Sequence, residues 1–206
     1  MNQSQAPTKA NLIKAKSRLG FSKKGFDLLD KKRNVLIREM MGLIDRATRI
    51  QKEIKEVYKE AYDALRFANV TLGVSTVEEI AISIPNSEDY QVLLTSVMGV
   101  EIPEVRYQKD KFQVSYGFFR TNAALDTAVQ KFRKVRFLTY ELAEVETKVY
   151  KLAMEIRKTQ KRANALEKIQ IPKYAALAKQ IEDTLEEKER EDFFRLKRVK
   201  SKSETG

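Results

Sequence analysis

A chain of 206 residues, 33% charged and 42% hydrophobic, is long enough for one or two ordinary domains. With only 7 Gly and 4 Pro, loops must be few, and helix is the default class. His and Cys are both absent, which removes the usual zinc ligands, the thiolate nucleophile and the commonest general base. The carboxylates lie along helical repeats as solvated charge, so no catalytic residue, cofactor site or metal site is expected. Mean hydropathy is −0.50 and no apolar run approaches ~18 residues, so no membrane insertion is expected. Residues 1–6 are polar and uncharged, unlike a signal peptide, and the absence of Cys fits a reducing compartment. These features together point to the cytoplasm.

The net charge of +11 directs attention to nucleic acid, an anionic membrane surface or acidic protein partners. The excess is concentrated early, where Lys9, Lys14, Lys16, Arg18, Lys23, Lys24, Lys31, Lys32, Arg33 and Arg38 face only Asp27 and Asp30. A solvated helix face explains this as well as a surface turned toward a partner that must not grip it tightly.

Residues 1–7 read as a disordered lead-in, with Thr8 as the helix N-cap. Residues 8–72 then form the first long helix. Leu12, Leu19, Phe26, Met40, Ala47, Ile54, Ala61 and Ala68 fall seven apart, with Arg33 the one charged member of the series. Three residues after each come Ala15, Ser22, Leu29, Leu36, Leu43, Ile50, Val57, Ala64 and Thr71. This is a sustained coiled-coil seam, and a strict repeat of seven implies a left-handed supercoil. At ~1.5 Å per residue, ~60 residues make ~90 Å, longer than the core of any compact domain. A partner helix of similar length is required. Near the far end the seam becomes small, at Ala61, Ala64 and Ala68. Tyr58, Tyr62, Leu65 and Phe67 crowd around it, more apolar surface than one seam can bury. Gly20-Phe-Ser-Lys-Lys-Gly25 superficially resembles a phosphate-binding loop, but Phe26-Asp27 stands where Lys-Ser/Thr is needed.

Gly73 ends the pattern, and residues 73–120 read as a small head with short strands. Ile80, Ile82 and Ile84 alternate like a strand that stops at Pro85-Asn86. Tyr90 to Val97 is an apolar run of ambiguous type. Gly99 and Pro103 frame an extended piece, Lys109-Asp110-Lys111 reads as a turn, and Phe112, Val114 and Tyr116 alternate as a further strand. Such a head is too small to be a robust domain alone. It should cap the helices and offer its remaining apolar face to another chain.

The second long helix should span residues 121–200, starting near Thr121-Asn122. Its seam is Ala128, Val135, Leu142, Val149, Ile156 and Ala163, with Leu138, Val145, Leu152, Thr159 and Leu166 as companions. Joined to the first helix through the head, it must run antiparallel. Pro172 removes a backbone donor and should kink or break the helix, after which the repeat resumes loosely at Leu177, Ile181 and Leu185. About 80 residues make ~120 Å, so a tip over residues 181–200 should overhang by ~30 Å. Glu186 with Arg190 and Glu191 with Arg195 are spaced to support it, while Phe193, Phe194, Leu196 and Val199 have nothing of their own chain to pack on. Residues 201–206 read as a polar tail.

The block Lys161-Arg162-Ala163-Asn164-Ala165-Leu166-Glu167, the following Ile171-Pro172 and the run from Leu185 through Glu186-Glu187-Lys188-Glu189-Arg190-Glu191-Asp192-Phe193-Phe194-Arg195-Leu196-Lys197 carry a resemblance. They closely resemble the C-terminal signature of the D subunits of V-type and archaeal-type rotary ATPases. Pro7-Thr8-Lys9 with Leu12, Gly25, Leu28, Leu29 and Lys31-Lys32-Arg33 is similar to that family's N-terminal signature, and Val97-Met98-Gly99-Val100 with Pro103 to its head. One departure is Lys161-Arg162-Ala163, where the family usually has Arg-Arg-Val. The resemblance implies a mainly α chain, a long antiparallel two-helix coiled coil with a small strand-containing head between its helices. It implies a non-catalytic central rotor shaft, one copy per complex and not a homo-oligomer. The shaft would transmit torque between ATP chemistry and proton or sodium transport, on the cytoplasmic side of the membrane. Implied partners are the catalytic A and regulatory B subunits, the small F protein of the stalk and a funnel-shaped subunit leading to the membrane ring, with no nucleic acid.

On position alone, Lys188, Glu189, Arg190, Phe193, Phe194, Arg195 and Lys197 would face the stator bore. Arg162, Asn164, Glu167 and Pro172 would fix the helix pair near the kink. Tyr58, Tyr62, Phe67, Ile82, Ile84, Val100, Phe112 and Tyr116 would dock the small stalk protein and the membrane-side partner. A basic coiled-coil scaffold or nucleic-acid-binding protein with no motor is the alternative. It differs in predicting self-association and steeply salt-sensitive DNA binding.

Overall fold

The computed structural model describes residues 6–84, 90–107, 114 and 116–204. The chain is mainly α, with long N- and C-terminal helices and a small antiparallel hairpin between them. In order come α1 (Lys9–Leu72), α2 (Val74–Ser83), β1 (Tyr90–Val97), β2 (Val100–Tyr107), a 3-10 turn (Phe118–Arg120), α3 (Ala123–Ala165), a π-helical turn (Leu166–Gln170) and α4 (Ile171–Glu204).

The seam accounts for burial almost residue by residue. In α1 every seam position from Leu12 to Ala68 is buried or half-buried, Arg33 included, and only Thr71 is exposed. In α3 the series from Ala128 to Ala163 and its companions behave the same way. The P-loop-like stretch at Gly20–Gly25 is ordinary helix within α1. Thr8 caps α1, its Oγ1 accepting the Asn11 N–H at 3.3 Å.

The chain divides into two compact units. One comprises Met1–Asn34 and Ile156–Gly206, the other Val35–Glu155. Within the first, Lys16 pairs with Glu182 at 2.7 Å and Lys9 with Glu189 at 2.9 Å, so the two segments run antiparallel. Ala15, Ser22, Thr159, Ala163, Ala178 and Ile181 form its buried line.

Within the second unit, Arg46–Glu141, Glu53–Lys134 and Glu60–Lys131 bridge α1 and α3, again in antiparallel order. Asn122 caps α3, its Oδ1 accepting the Leu125 N–H at 3.1 Å, and its amide reaches Thr71 Oγ1 at 2.9 Å. Val57, Ala61 and Val135 form one core cluster, with Phe132 and Leu138 against it. The small side chain at Ala61 admits these larger neighbours. A second cluster joins Val77, Tyr116 and Leu125 with Leu65, Leu72, Ile80, Val114 and Val129.

The head departs from the sequence reading in two places. Ile80, Ile82 and Ile84 do not form a strand: residues 74–83 are helical. Val77, Ile80, Ala81 and Ile84 fit the helical spacing as well as alternation fits a strand. Helix wins because it brings Val77 and Ile80 into one cluster and leaves Ile82 86% exposed. Gly73, at φ 85°, allows the break between α1 and α2. Val114 and Tyr116 likewise lie in no strand. Tyr116 is buried, and its hydroxyl donates to Asp126 Oδ1. The turn at 109–111, Phe112 and the Pro85-Asn86 boundary lie outside the described residues.

The ambiguous run at Tyr90 is β1. It pairs antiparallel with β2 from Tyr90↔Tyr107 to Val97↔Val100. Met98 and Gly99, at φ 52° and 77°, make a two-residue turn of the kind whose twist matches a hairpin.

Burial, together with the bond to Asp126, pushes the Tyr116 hydroxyl well above its ordinary range. The folded chain holds this proton more tightly than the unfolded chain. Its contribution is therefore complete below about pH 10, the unfolded value, and lost as pH rises beyond it. Tyr116→Phe should cost about 1–2 kcal/mol at neutral pH and flatten the alkaline limb of a thermal-melt series above about pH 10.

Candidate interaction surfaces

Among the described residues, no group of three or more Asp or Glu side chains is arranged to hold a metal ion. Among the same residues, no helix is long and apolar enough to cross a membrane. An open cleft of about 420 Å3 is lined by Glu53, Tyr107, Gln130, Arg133, Lys134, Phe137 and Leu138. It holds a stacked Tyr107–Phe137 pair and a Lys134–Glu53 ion pair, but no nucleophile beside a base. What the chain presents instead is surface.

The tip is the end of α4. Every residue in 186–201 is exposed. The anticipated pairs form, Glu186–Arg190 at 3.5 Å and Glu191–Arg195 at 3.6 Å, with Asp192 also 3.8 Å from Arg195. Such exposed pairs contribute only ~0–1 kcal/mol each and exchange readily. Phe193 and Phe194, about two-thirds exposed, meet edge-on at 6.4 Å between ring centres. Lys188 and Lys197 are exposed beside them. The overhang begins later than expected. Ile181 is only 2% exposed, Lys16 reaches Glu182, and Lys9 holds Glu189. α1 therefore accompanies α4 further along than a count of helix lengths implies. At the far end the helix continues to Glu204, over much of the expected polar tail.

The kink motif resolves differently. The helix is not broken at Pro172 but widened ahead of it, in the π turn Leu166–Gln170. Asn164 is half-buried, and its Oδ1 accepts from Gln160 Nε2 at 2.7 Å. Gln160 Oε1 accepts in turn from Arg33 Nη1 at 2.7 Å. Arg162, Glu167 and Pro172 are exposed. Gly25 lies opposite Leu166, where an added Cβ would sit 3.5 Å from Leu166 Cδ1.

Of the docking candidates, Tyr58 and Tyr62 stack at 6.1 Å, and Tyr62 meets Phe132 edge-on at 5.4 Å. Phe67 and Ile82 are exposed, Ile84 lies at the end of α2, and Val100 is half-buried in β2. Tyr116 is only 8% exposed and offers no docking surface; its ring belongs to the core. Phe112 lies outside the described residues. The sequence reading missed Ile37, Met41 and Ile44, a line of exposed apolar residues along α1, and Tyr150 and Met154 on α3. The signal was present in the spacing of four and three at positions flanking the seam.

The hairpin is seated on α3 by one face. Tyr107 stacks on Phe137 at 5.2 Å, and Tyr90, its cross-strand partner, packs on Tyr140 at 5.1 Å. Glu144 accepts the Val105 backbone N–H at 2.7 Å and is ion-paired with Lys148, both side chains largely buried. Ile102 and Pro103 turn inward, while Val92 and Leu94 of β1 stay exposed. Glu144→Ala, which removes the acceptor, should weaken this seat by about 1.5–3 kcal/mol, the range for a hydrogen bond to a charged group. The effect should appear as faster amide exchange confined to residues 100–107, with the helical amides unchanged.

The chain matches the family described as the D subunit of ATP synthase over residues 11–201. It is 47% identical over 199 residues to the V-type ATP synthase D subunit of Thermotoga neapolitana, covering 97% of this chain and 98% of that protein. The A-type ATP synthase D subunit of Pyrococcus abyssi is 39% identical, and that of Thermococcus sibiricus 36% identical. Both matches run over 198 residues, 95% of this chain and 92% of the relative.

Proposed function

Since the chain belongs to the family of ATP synthase D subunits, components of V/A-type ATPases, we propose that it is the non-catalytic shaft of the rotary complex. It carries torque between ATP hydrolysis or synthesis in the head and proton or sodium transport in the membrane ring. The observation that most supports this reading is the seam. The 64 residues of α1 run as one helix, with a buried or half-buried position at each expected step as far as Ala68, paired to helices of opposite direction. Such pairing resists bending and twisting, which torque transmission requires.

In this reading the exposed tip, Lys188, Glu189, Arg190, Phe193, Phe194, Arg195 and Lys197, turns against the bore formed by the A and B subunits. Weak, exchangeable ion pairs suit a surface that must be pushed without being held. Exposed aromatic and aliphatic groups, Tyr58, Tyr62 and Phe67 among them, dock the small F protein of the stalk. The head meets the funnel-shaped subunit on the cytoplasmic side of the membrane through Ile82, Ile84 and Val100.

A chain truncated before Arg190 tests the assignment of the tip. It keeps the buried line through Ile181 and should still assemble. Torque in ATP-driven rotation of the assembled complex should fall markedly, and torque equal to that of the full chain would overturn the bore assignment. Phe193→Ala with Phe194→Ala should lower torque in the same direction while leaving the helical content of the isolated chain within error.

A further inference from the structure

The seam does not continue unchanged into α4. Seven residues beyond Ala163 and Leu166 stand Gln170, half-buried, and Lys173, exposed, whereas the most buried residues past the turn, Ala178 and Ile181, lie on the line Ile171, Tyr174, Ala178, Ile181 and Leu185. The step from Ala163 to Ile171, like that from Leu166 to Tyr174, is eight residues, after which the normal spacing resumes. One residue is in excess. Left in α-helix, it would turn the seam by about 100° away from α1. The π turn absorbs it, with the Ile171 N–H reaching Leu166 O five residues back.

Nothing in an excess residue itself fixes where it is absorbed, because moving the wide turn along the helix only exchanges one type of backbone bond for another. Two features fix it here. On the C-terminal side stands Pro172. In a regular helix its ring would collide with the carbonyl of Lys168, so the wide turn ends just ahead of it. On the N-terminal side stands Arg33, the one charged residue in the α1 seam. It is held by the Asp30 carboxylate and donates to Gln160, which donates to Asn164. Gln160 and Asn164 are four apart, a spacing that brings their side chains together only where the helix is α. Their bond, anchored across the helix pair by Arg33, keeps the wide turn out of residues 160–164.

We propose that Arg33, Gln160 and Asn164 are positioning residues that hold a one-residue phase skip at Leu166–Gln170, so that the tip of α4 leaves the helix pair at one defined angle. A polar group within an apolar seam commonly selects one register at some cost in stability, and Arg33 occupies such a place. The inference rests on side-chain and backbone geometry and stands whether or not the chain is a shaft.

The test is amide hydrogen exchange on the full-length chain in four forms. These are the natural sequence, Arg33→Leu with Gln160→Leu, deletion of Lys168 with Pro172→Ala, and both sets combined. In the natural chain, fast exchange within residues 156–181 should be confined to 166–171. In the Leu pair it should spread into residues 160–165, faster there by about tenfold, because the wide turn is no longer excluded. Deleting the excess residue should remove fast exchange from residues 156–181. The combined form should behave like the deletion, because with no skip there is nothing to hold. If the Leu pair lost helical content, Asn164→Leu, which leaves the Arg33–Gln160 contact in place, would serve instead. Exchange confined to 166–171 in the Leu pair would overturn the proposal, and so would spreading that persists in the combined form.

Discussion

Two helices that touch along a narrow line must bury the same small set of positions again and again. Here that line is built from residues at a seven-residue repeat, and the remaining structure is arranged around its needs. The alanine at 61 lets the helices approach where Phe132 and Leu138 crowd in, and residues such as Leu36, Ala68, Val145 and Leu152 fill the line elsewhere. Because so much of each helix stays in water, the exterior is charged, and pairs such as Arg46–Glu141 and Glu60–Lys131 flank the seam. They add direction and spacing more than stability. The apolar burial along the seam carries the fold.

A periodic seam is also fragile, since a single additional residue would rotate all that follows it. The chain contains one, and the π turn before Pro172 takes it up without interrupting the helix. The sequence on either side is consistent with this. Ala163 and Ile171 are both good seam residues, whereas Lys173 would be a poor one. The tip that follows bears charges and exposed phenylalanines, and in the proposed shaft the angle at which it emerges would decide which of them meets a neighbour. A shaft with an asymmetric end needs that angle to be single-valued.

Much of this was legible beforehand. The seam positions of both helices, the cap at Thr8, the ion pairs of the tip and the hairpin piece around Gly99 follow from spacing and residue type. The misses share a cause, which is that local pattern underdetermines the outcome when tertiary contacts choose. Ile80, Ile82 and Ile84 alternate, but burying Val77 with Ile80 required a helix. Tyr116 reads as surface, yet Asp126 offers its hydroxyl a partner in the interior. Pro172 announced a disturbance without saying that it would be an insertion ahead of the ring rather than a break. Ile181 reads as overhang from helix lengths, but its burial depends on how far α1 runs alongside, which length alone does not fix. Arg33 stood out as the odd member of the seam, while its link through Gln160 to Asn164 needs three side chains placed in space.

The family relationship and the long repeated seam are what support the proposed shaft, a chain that would work by moving. The most direct measurement follows that motion. The sequence contains no cysteine, so Leu94→Cys on the exposed strand β1 gives a single attachment point for a probe bead. In a complex immobilised through its head, the account predicts that ATP drives continuous rotation of the bead in one direction. A bead that stays still while the same complexes hydrolyse ATP would contradict it.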